Sequence, residues 1–213
     1  MRILAINLVT GLTFLLGAAA AHADATNETM QFAVMRNNNQ IGTNTISIGH
    51  NGPETRVQIV THVSVGFAFL TLYKFDQTEI EQWNDGRFVG LSAQTNDNGT
   101  VHRVSANNRD GVLIVDDNGK VRNEAASALP ISLWSPALPE NGLGLDPEDG
   151  STTPVSVVDR GEDDIVVAGR AERAHHFLVK TAFTQDVWYD AQNRLVQVEM
   201  RGRDGSTISY KLM

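Results

Sequence analysis

Between Arg56 and Trp83 the chain reads RVQIVTHVSVGFAFLTLYKFDQTEIEQW, and this stretch decides the fold class. Val63, Val65, Phe67, Phe69, Tyr73 and Phe75 share one parity, while Ala68, Leu70 and Leu72 hold the other. Successive side chains of a strand point to opposite faces, so this is β structure that is apolar on both sides through its middle. Beyond Phe75 the aromatic parity turns polar, with Gln77, Glu79 and Glu81. Unbroken, the stretch would exceed ~80 Å at about 3.3 Å per residue, so Gly66 or a bulge near Gly66-Phe67-Ala68 must divide it.

Working outward, the same texture runs from Thr29 to Leu212. Val, Ile, Thr and aromatic residues alternate with polar ones. Turn signals recur at Asn37-Asn38-Asn39, Asn51-Gly52-Pro53, Asn84-Asp85-Gly86, Asp97-Asn98-Gly99, Arg109-Asp110-Gly111, Asp117-Asn118-Gly119, Arg160-Gly161-Glu162, Ala191-Gln192-Asn193 and Asp204-Gly205. Asn and Gly tolerate the positive φ of tight hairpins, and short connections join antiparallel neighbours. No segment sustains an apolar period near 3.6. The expected fold is all-β: a single antiparallel meander of about ten to twelve strands, forming a strongly curved sheet or an incompletely closed barrel.

Two segments resemble each other. Trp83 to Leu91 followed by Asp97-Asn98-Gly99, and Trp188-Tyr189-Asp190 with Arg194 to Val198 followed by Asp204-Gly205, both read strand, Trp, Asp, turn, Arg, strand. A duplicated hairpin unit and convergent turn chemistry both account for this, and either way the Trp side chains read as structural. Ser135 to Pro154 differs from the rest, with Pro136, Pro139, Pro147 and Pro154 among Gly142, Gly144 and Gly150. A connection of this length and composition reads as a surface flap or a lid.

The N-terminus has the order of a cleaved secretory signal: Arg2, an apolar stretch from Ile3 to Leu16, small residues from Gly17 to Ala21, then Ala21-His22-Ala23. The expected organisation is a signal peptide over residues 1–23, cleaved after Ala23, and one β domain over 24–213, exported to the periplasm or the extracellular space. The chain holds no cysteine, which removes thiolate catalysis, iron–sulfur clusters and disulfides from consideration. The formal charge is −8, and −9 without Arg2, so neither nucleic acid nor an anionic membrane surface is an expected partner. Charges throughout the strands, and a terminus without a final aromatic, speak against stable membrane insertion as an outer-membrane barrel.

Chemistry-bearing motifs are few. Adjacent His175 and His176 point to opposite faces of a strand, and neither H-x-H nor HExxH occurs, so no metal site is expected. There is no G-x-S-x-G elbow, and Gly142-Leu143-Gly144 lacks the third glycine of a phosphate loop. No catalytic residue and no cofactor is assigned. Glu79 and Glu81 stand two apart on one face, at about the separation of a glycosidase acid and base, but pairs of this kind commonly decorate solvated faces. The aromatic row Phe67, Phe69, Tyr73 and Phe75 fits either a filled core or the wall of an apolar ligand cavity.

The run Tyr73-Lys74-Phe75, Glu79 to Glu81, Trp83 to Arg87, Leu91 and Thr95 to Gly99 resembles a family of uncharacterised secreted bacterial all-β proteins. So do Pro130, Leu133-Trp134, Leu145-Asp146, Gly150, Trp188-Tyr189-Asp190 and Arg194-Leu195-Val196. The family brings no functional residues with it. It is distantly similar to lipoprotein-carrier-like periplasmic half-barrels, which implies an apolar groove for a lipid-like ligand. The expectation is therefore a soluble periplasmic binding or carrier protein, non-enzymatic, for an apolar small molecule or lipid. An envelope structural protein pairing through a sheet edge, and a glycan-active enzyme using Glu79 or Glu81, are the alternatives.

Overall fold

Asparagine, aspartate and glycine pairs set the architecture by fixing where the chain reverses. Asn37-Asn38, Asp85-Gly86, Asn98-Gly99, Asp110-Gly111 and Asn118-Gly119 all adopt positive φ, as tight hairpins between right-twisted strands require. The computed structural model describes residues 26–67, 70–135, 142–202 and 204–213, so the proposed signal peptide lies outside the described residues. Between the turns run β1 (Thr26–Arg36), β2 (Asn39–Asn51), β3 (Glu54–Phe67), β4 (Leu70–Asn84), β5 (Arg87–Asp97), β6 (Thr100–Arg109), β7 (Val112–Asp117) and β8 (Lys120–Ala125). Three short strands follow: β9 (Leu129–Pro130), β10 (Leu143–Leu145) and β11 (Thr152–Pro154). The chain ends with β12 (Ser156–Val167), β13 (Arg170–Lys180), β14 (Thr184–Tyr189), β15 (Leu195–Arg201) and β16 (Thr207–Leu212). No helix occurs among the described residues.

Thirteen strands form one antiparallel sheet in the order β12-β13-β14-β15-β16-β1-β2-β3-β4-β5-β6-β7-β8. The fold is all-β, as expected, with more strands than the ten to twelve anticipated. Two meanders meet where the terminal strands pair, with Phe32 opposite Leu212 and Val34 opposite Tyr210. The sheet does not close, so β8 and β12 are its edges. Both edges are charged, with Lys120, Arg122 and Glu124 on β8, and Asp159, Arg160, Glu162, Asp163 and Asp164 on β12. Such charges disfavour further strand addition.

The long stretch divides where anticipated. The register slips between Val65 and Gly66, and Phe67 pairs with Leu70 to close the β3–β4 hairpin. Arg160-Gly161-Glu162, expected as a turn, is instead a bulge inside β12. The register with β13 shifts between Asp159 and Gly161, with the Gly161 N–H donating to Asp159 at 2.7 Å. The reversal falls at Ala168-Gly169, both at positive φ, where alanine gives no turn signal.

The segment from 126 to 155, described over 126–135 and 142–155, is in those residues not the surface flap expected over Ser135–Pro154. Within it β9, β10 and β11 form a small sheet, with β10 parallel to β9 and antiparallel to β11. Its side chains pack onto one face of the large sheet. Leu133 and Val155 join a core with Phe32, Ile46, Val57, Ile59, Val187 and Tyr189. Ala128 and Leu145 join a second core with Phe88, Leu91, Val104, Leu113 and Val115. Trp83 packs against both. A β-carbon on Gly144 would stand 2.5 Å from the Ile131 side chain, so β10 can approach only as glycine. An open sheet of this width must cover its apolar face, and here the chain covers it with its own crossover. The two Trp residues of the suspected repeat differ in side: Trp83 faces this covered core, whereas Trp188 packs on the other face with Val167, Ala174 and Val196. The resemblance is therefore one of turn chemistry.

Candidate functional site

The covered face forms a hollow that is filled at one end and open at the other. At the filled end the ring centroids of Trp83 and Phe88 lie 5.3 Å apart, and Trp83 meets Trp134 edge-on at 5.9 Å. The Tyr189 hydroxyl donates to the Leu133 and Ser135 carbonyls at 3.0 and 3.3 Å, tying the crossover to β14. At the end that bears the β1–β2, β3–β4, β5–β6 and β15–β16 turns lies a cleft of about 720 Å³. Val34, Ile41, Val63, Val65, Leu72, Tyr73, Phe75 and Ile208 supply its apolar wall, and Arg36, Asp97, Glu148, Asp204 and Ser206 its polar margin. Leu72 is 57% exposed there, a large apolar side chain left facing water. The volume and mainly apolar lining are those of a small-molecule pocket.

Of the sequence-assigned aromatic row, Tyr73 and Phe75 line this cleft. Phe69 and the side chain of Phe67 lie outside the described residues. The Tyr73 phenol is raised well above its usual range, first by desolvation and then by hydrogen bonding and charge from Asp97. Burial also raises Glu148 at the margin, helped by the charges of Asp146 and Asp97. Arg36 and Asp204 form an ion pair, and Ser206 with Arg36 holds the Asp204 carboxyl well below the ordinary range.

Glu79 and Glu81 do not decorate a solvated edge. Their parity, continuous with Tyr73 and Phe75, carries them into the covered face, where Glu79 is 2% and Glu81 0% exposed. Two indoles converge on Glu81 Oε2: Trp83 Nε1 donates at 2.7 Å and Trp134 Nε1 at 2.9 Å. Oε1 of each glutamate has no hydrogen-bond partner. Burial pushes the Glu79 carboxyl well above the ordinary range of 4.5, reinforced by the charge and hydrogen bond of Glu81 and by the charge of Asp146. Burial and Glu81 thus favour the protonated form of the Glu79 carboxyl. Glu79 lines a smaller inner cavity of about 140 Å³, together with Asn44, Thr61, Gln77 and Gln185 from the sheet and Ile131, Ser132 and Leu133 from the crossover. Tyr210 lines both spaces, so the inner cavity and the outer cleft adjoin.

Sequence reasoning missed this burial although one signal was present: the apolar parity does not shift between Phe75 and Trp83. It also missed Trp134 as a donor, because nothing local marks a crossover residue as pairing with β4. His175 and His176 do point apart. His175 meets Asp159 at 2.8 Å, while His176 bridges Asp163 and Asp186 at 3.0 and 2.8 Å and stacks on Trp188. Among the described residues no three His, Asp or Glu side chains converge as a metal site, and Gly142-Leu143-Gly144 enters strand β10.

A solved structure shares this architecture. The beta-barrel-like protein of the domain of unknown function DUF1849 from Brucella abortus superimposes with a TM-score of 0.58 at 10% identity, covering 87% of this chain and 95% of that one. At that identity the likeness concerns the fold. No curated protein matches the chain. The model of the domain of unknown function DUF6134 matches residues 32–213, from the second half of β1 to the C-terminus, and the chain belongs to that family.

Proposed function

We propose that this protein is a soluble, exported carrier for an apolar, lipid-like ligand held in the open end of the hollow. The observation that carries the reading is the cleft of about 720 Å³ whose wall is Val63, Val65, Leu72, Tyr73 and Phe75. Apolar side chains lining an unfilled space lose packing that a ligand's chain restores. Export rests on the signal-like N-terminus, and a similarity to lipoprotein-carrier half-barrels is consistent with the unclosed sheet. The charged edges β8 and β12 offer less to a reading based on strand pairing. For glycan cleavage, Glu79 and Glu81 stand on one strand face and only Glu79 lines a cavity, so they do not flank a bond from two sides.

The test is a titration with the apolar dye N-phenyl-1-naphthylamine on wild type and Val65→Arg. The expected result is saturable fluorescence enhancement in wild type, reduced at least ~10-fold in affinity by a charge on the wall, with unchanged thermal unfolding. Equal dye uptake by both proteins, or none by wild type, would overturn the reading. Native mass spectrometry of protein isolated from its own envelope fraction would then identify the occupant.

A further inference from the structure

We infer that the inner cavity beside Glu79 recognises the ammonium group of an amphiphile, which enters head first and leaves its chain in the outer cleft. The position of the chain rests on the apolar-ligand reading, whereas the ammonium site stands on the cavity itself. Glu79 is 2% exposed, lines the cavity, and its Oε1 finds no donor. Gln185 lines the same cavity, and its Oε1 is likewise buried without a partner. Buried acceptors without donors are costly and rare, so these two oxygens call for a donor.

Charge points the same way. No Lys, Arg or His lines the cavity among the described residues; the remaining polar side chains of its sheet wall are Asn44, Thr61, Gln77 and the Tyr210 phenol, with Ser132 from the crossover. The charged groups facing Glu79 are Glu81 on its own strand and Asp146 from the crossover, both carboxyls. The route inward carries Asp97, Glu148 and Asp204, against one Arg36 already paired with Asp204. Buried carboxylates call for a cation, and an anionic headgroup is opposed along the whole path. An ammonium brings three donors and a compact positive charge. At about 140 Å³ the cavity approaches the ~150 Å³ space that admits benzene in an engineered protein, enough for a short ammonium-bearing segment. Burial and Glu81 favour the protonated Glu79 carboxyl, so an ammonium that takes over as donor returns that carboxyl's proton to solvent, O–H giving way to N–H donation.

Calorimetric titration of the full chain at pH 7 with octylamine, 1-octanol, octanoate and ethylamine tests this. Octylammonium should bind at least ~10-fold more tightly than octanol, with octanoate weakest, and any proton release, read from the dependence of the heat on buffer ionisation, should depend on Glu79. Glu79→Gln should bring octylammonium affinity down to that of octanol and remove any proton release, and Gln185→Glu should strengthen amine binding. Equal affinities for octylammonium and octanol, or a preference that survives Glu79→Gln, would overturn the assignment. Glu79-dependent binding of calcium or potassium chloride in place of amine would also overturn it, in favour of a bare cation. Ethylammonium binding that needs Glu79, with no gain from the octyl chain, would keep the ammonium site and sink the apolar-ligand reading.

Discussion

The two ends of the hollow are built from the same strands and differ only in what lies over them. On β3, Val57 and Ile59 lie under the crossover and are 0% and 5% exposed; further along the same face, Val63, 9% exposed, and the half-buried Val65 line the cleft. On β4, Glu81 and Trp83 are roofed by Trp134, while Tyr73, eight residues from Glu81, is 36% exposed. On β4 the strand pattern is even more polar toward the filled end, with Gln77, Glu79 and Glu81, so the sheet does not determine which end is core and which is cleft. The crossover does, through where Leu133, Trp134, Leu145 and Val155 come to rest.

The comparison can be broken most forcefully at the filled end. Leu145→Ala should cost about 2–5 kcal/mol in urea denaturation, the cost of emptying a fully packed site. A loss below ~1 kcal/mol would mean that the crossover only drapes over the sheet. A second effect is expected from Glu79 and has a definite sign. Its folded-state pKa is raised, so between the ordinary value of 4.5 and the folded value the native state binds more protons than the unfolded chain. Stability from this group is therefore full below about pH 4.5 and falls as pH rises, by at most ~1.4 kcal/mol per unit. Glu79→Gln should flatten that slope and raise the neutral-pH melting temperature; an unchanged profile would mean that the carboxyl is solvated.

Tyr189→Phe should cost about 0.5–1.5 kcal/mol through lost hydrogen bonds to the crossover carbonyls, with the sheet itself intact. The smallest stability effect belongs to the open end. Phe75→Ala should change stability by less than ~1 kcal/mol, since the side chain is only half-buried and lines the cleft, yet weaken dye binding several-fold. A large stability loss there would mark Phe75 as core and erase the distinction between the ends.

Most of the sheet was legible because its turns are written in Asn, Asp and Gly, whose tolerance of positive φ is a local property. Ala168-Gly169 escaped notice because alanine carries no such signal, and Gly161 misled because a bulge and a turn both use glycine. The site was half legible. Tyr73 and Phe75 on one wall followed from period-two alternation. The burial of Glu79 and Glu81, and the roof over them, depend on a crossover some fifty residues away in sequence, and no local pattern reports where such a segment packs.

The central claim is that one hollow has a filled end and a ligand-accepting end. Methyl NMR with a nitroxide-labelled alkylamine tests it most directly. The account predicts selective broadening of the Ile41, Val63, Val65 and Ile208 methyls, with those of Leu113, Leu145 and Val155 unaffected. Uniform broadening, or broadening centred on Leu145 and Val155, would contradict it.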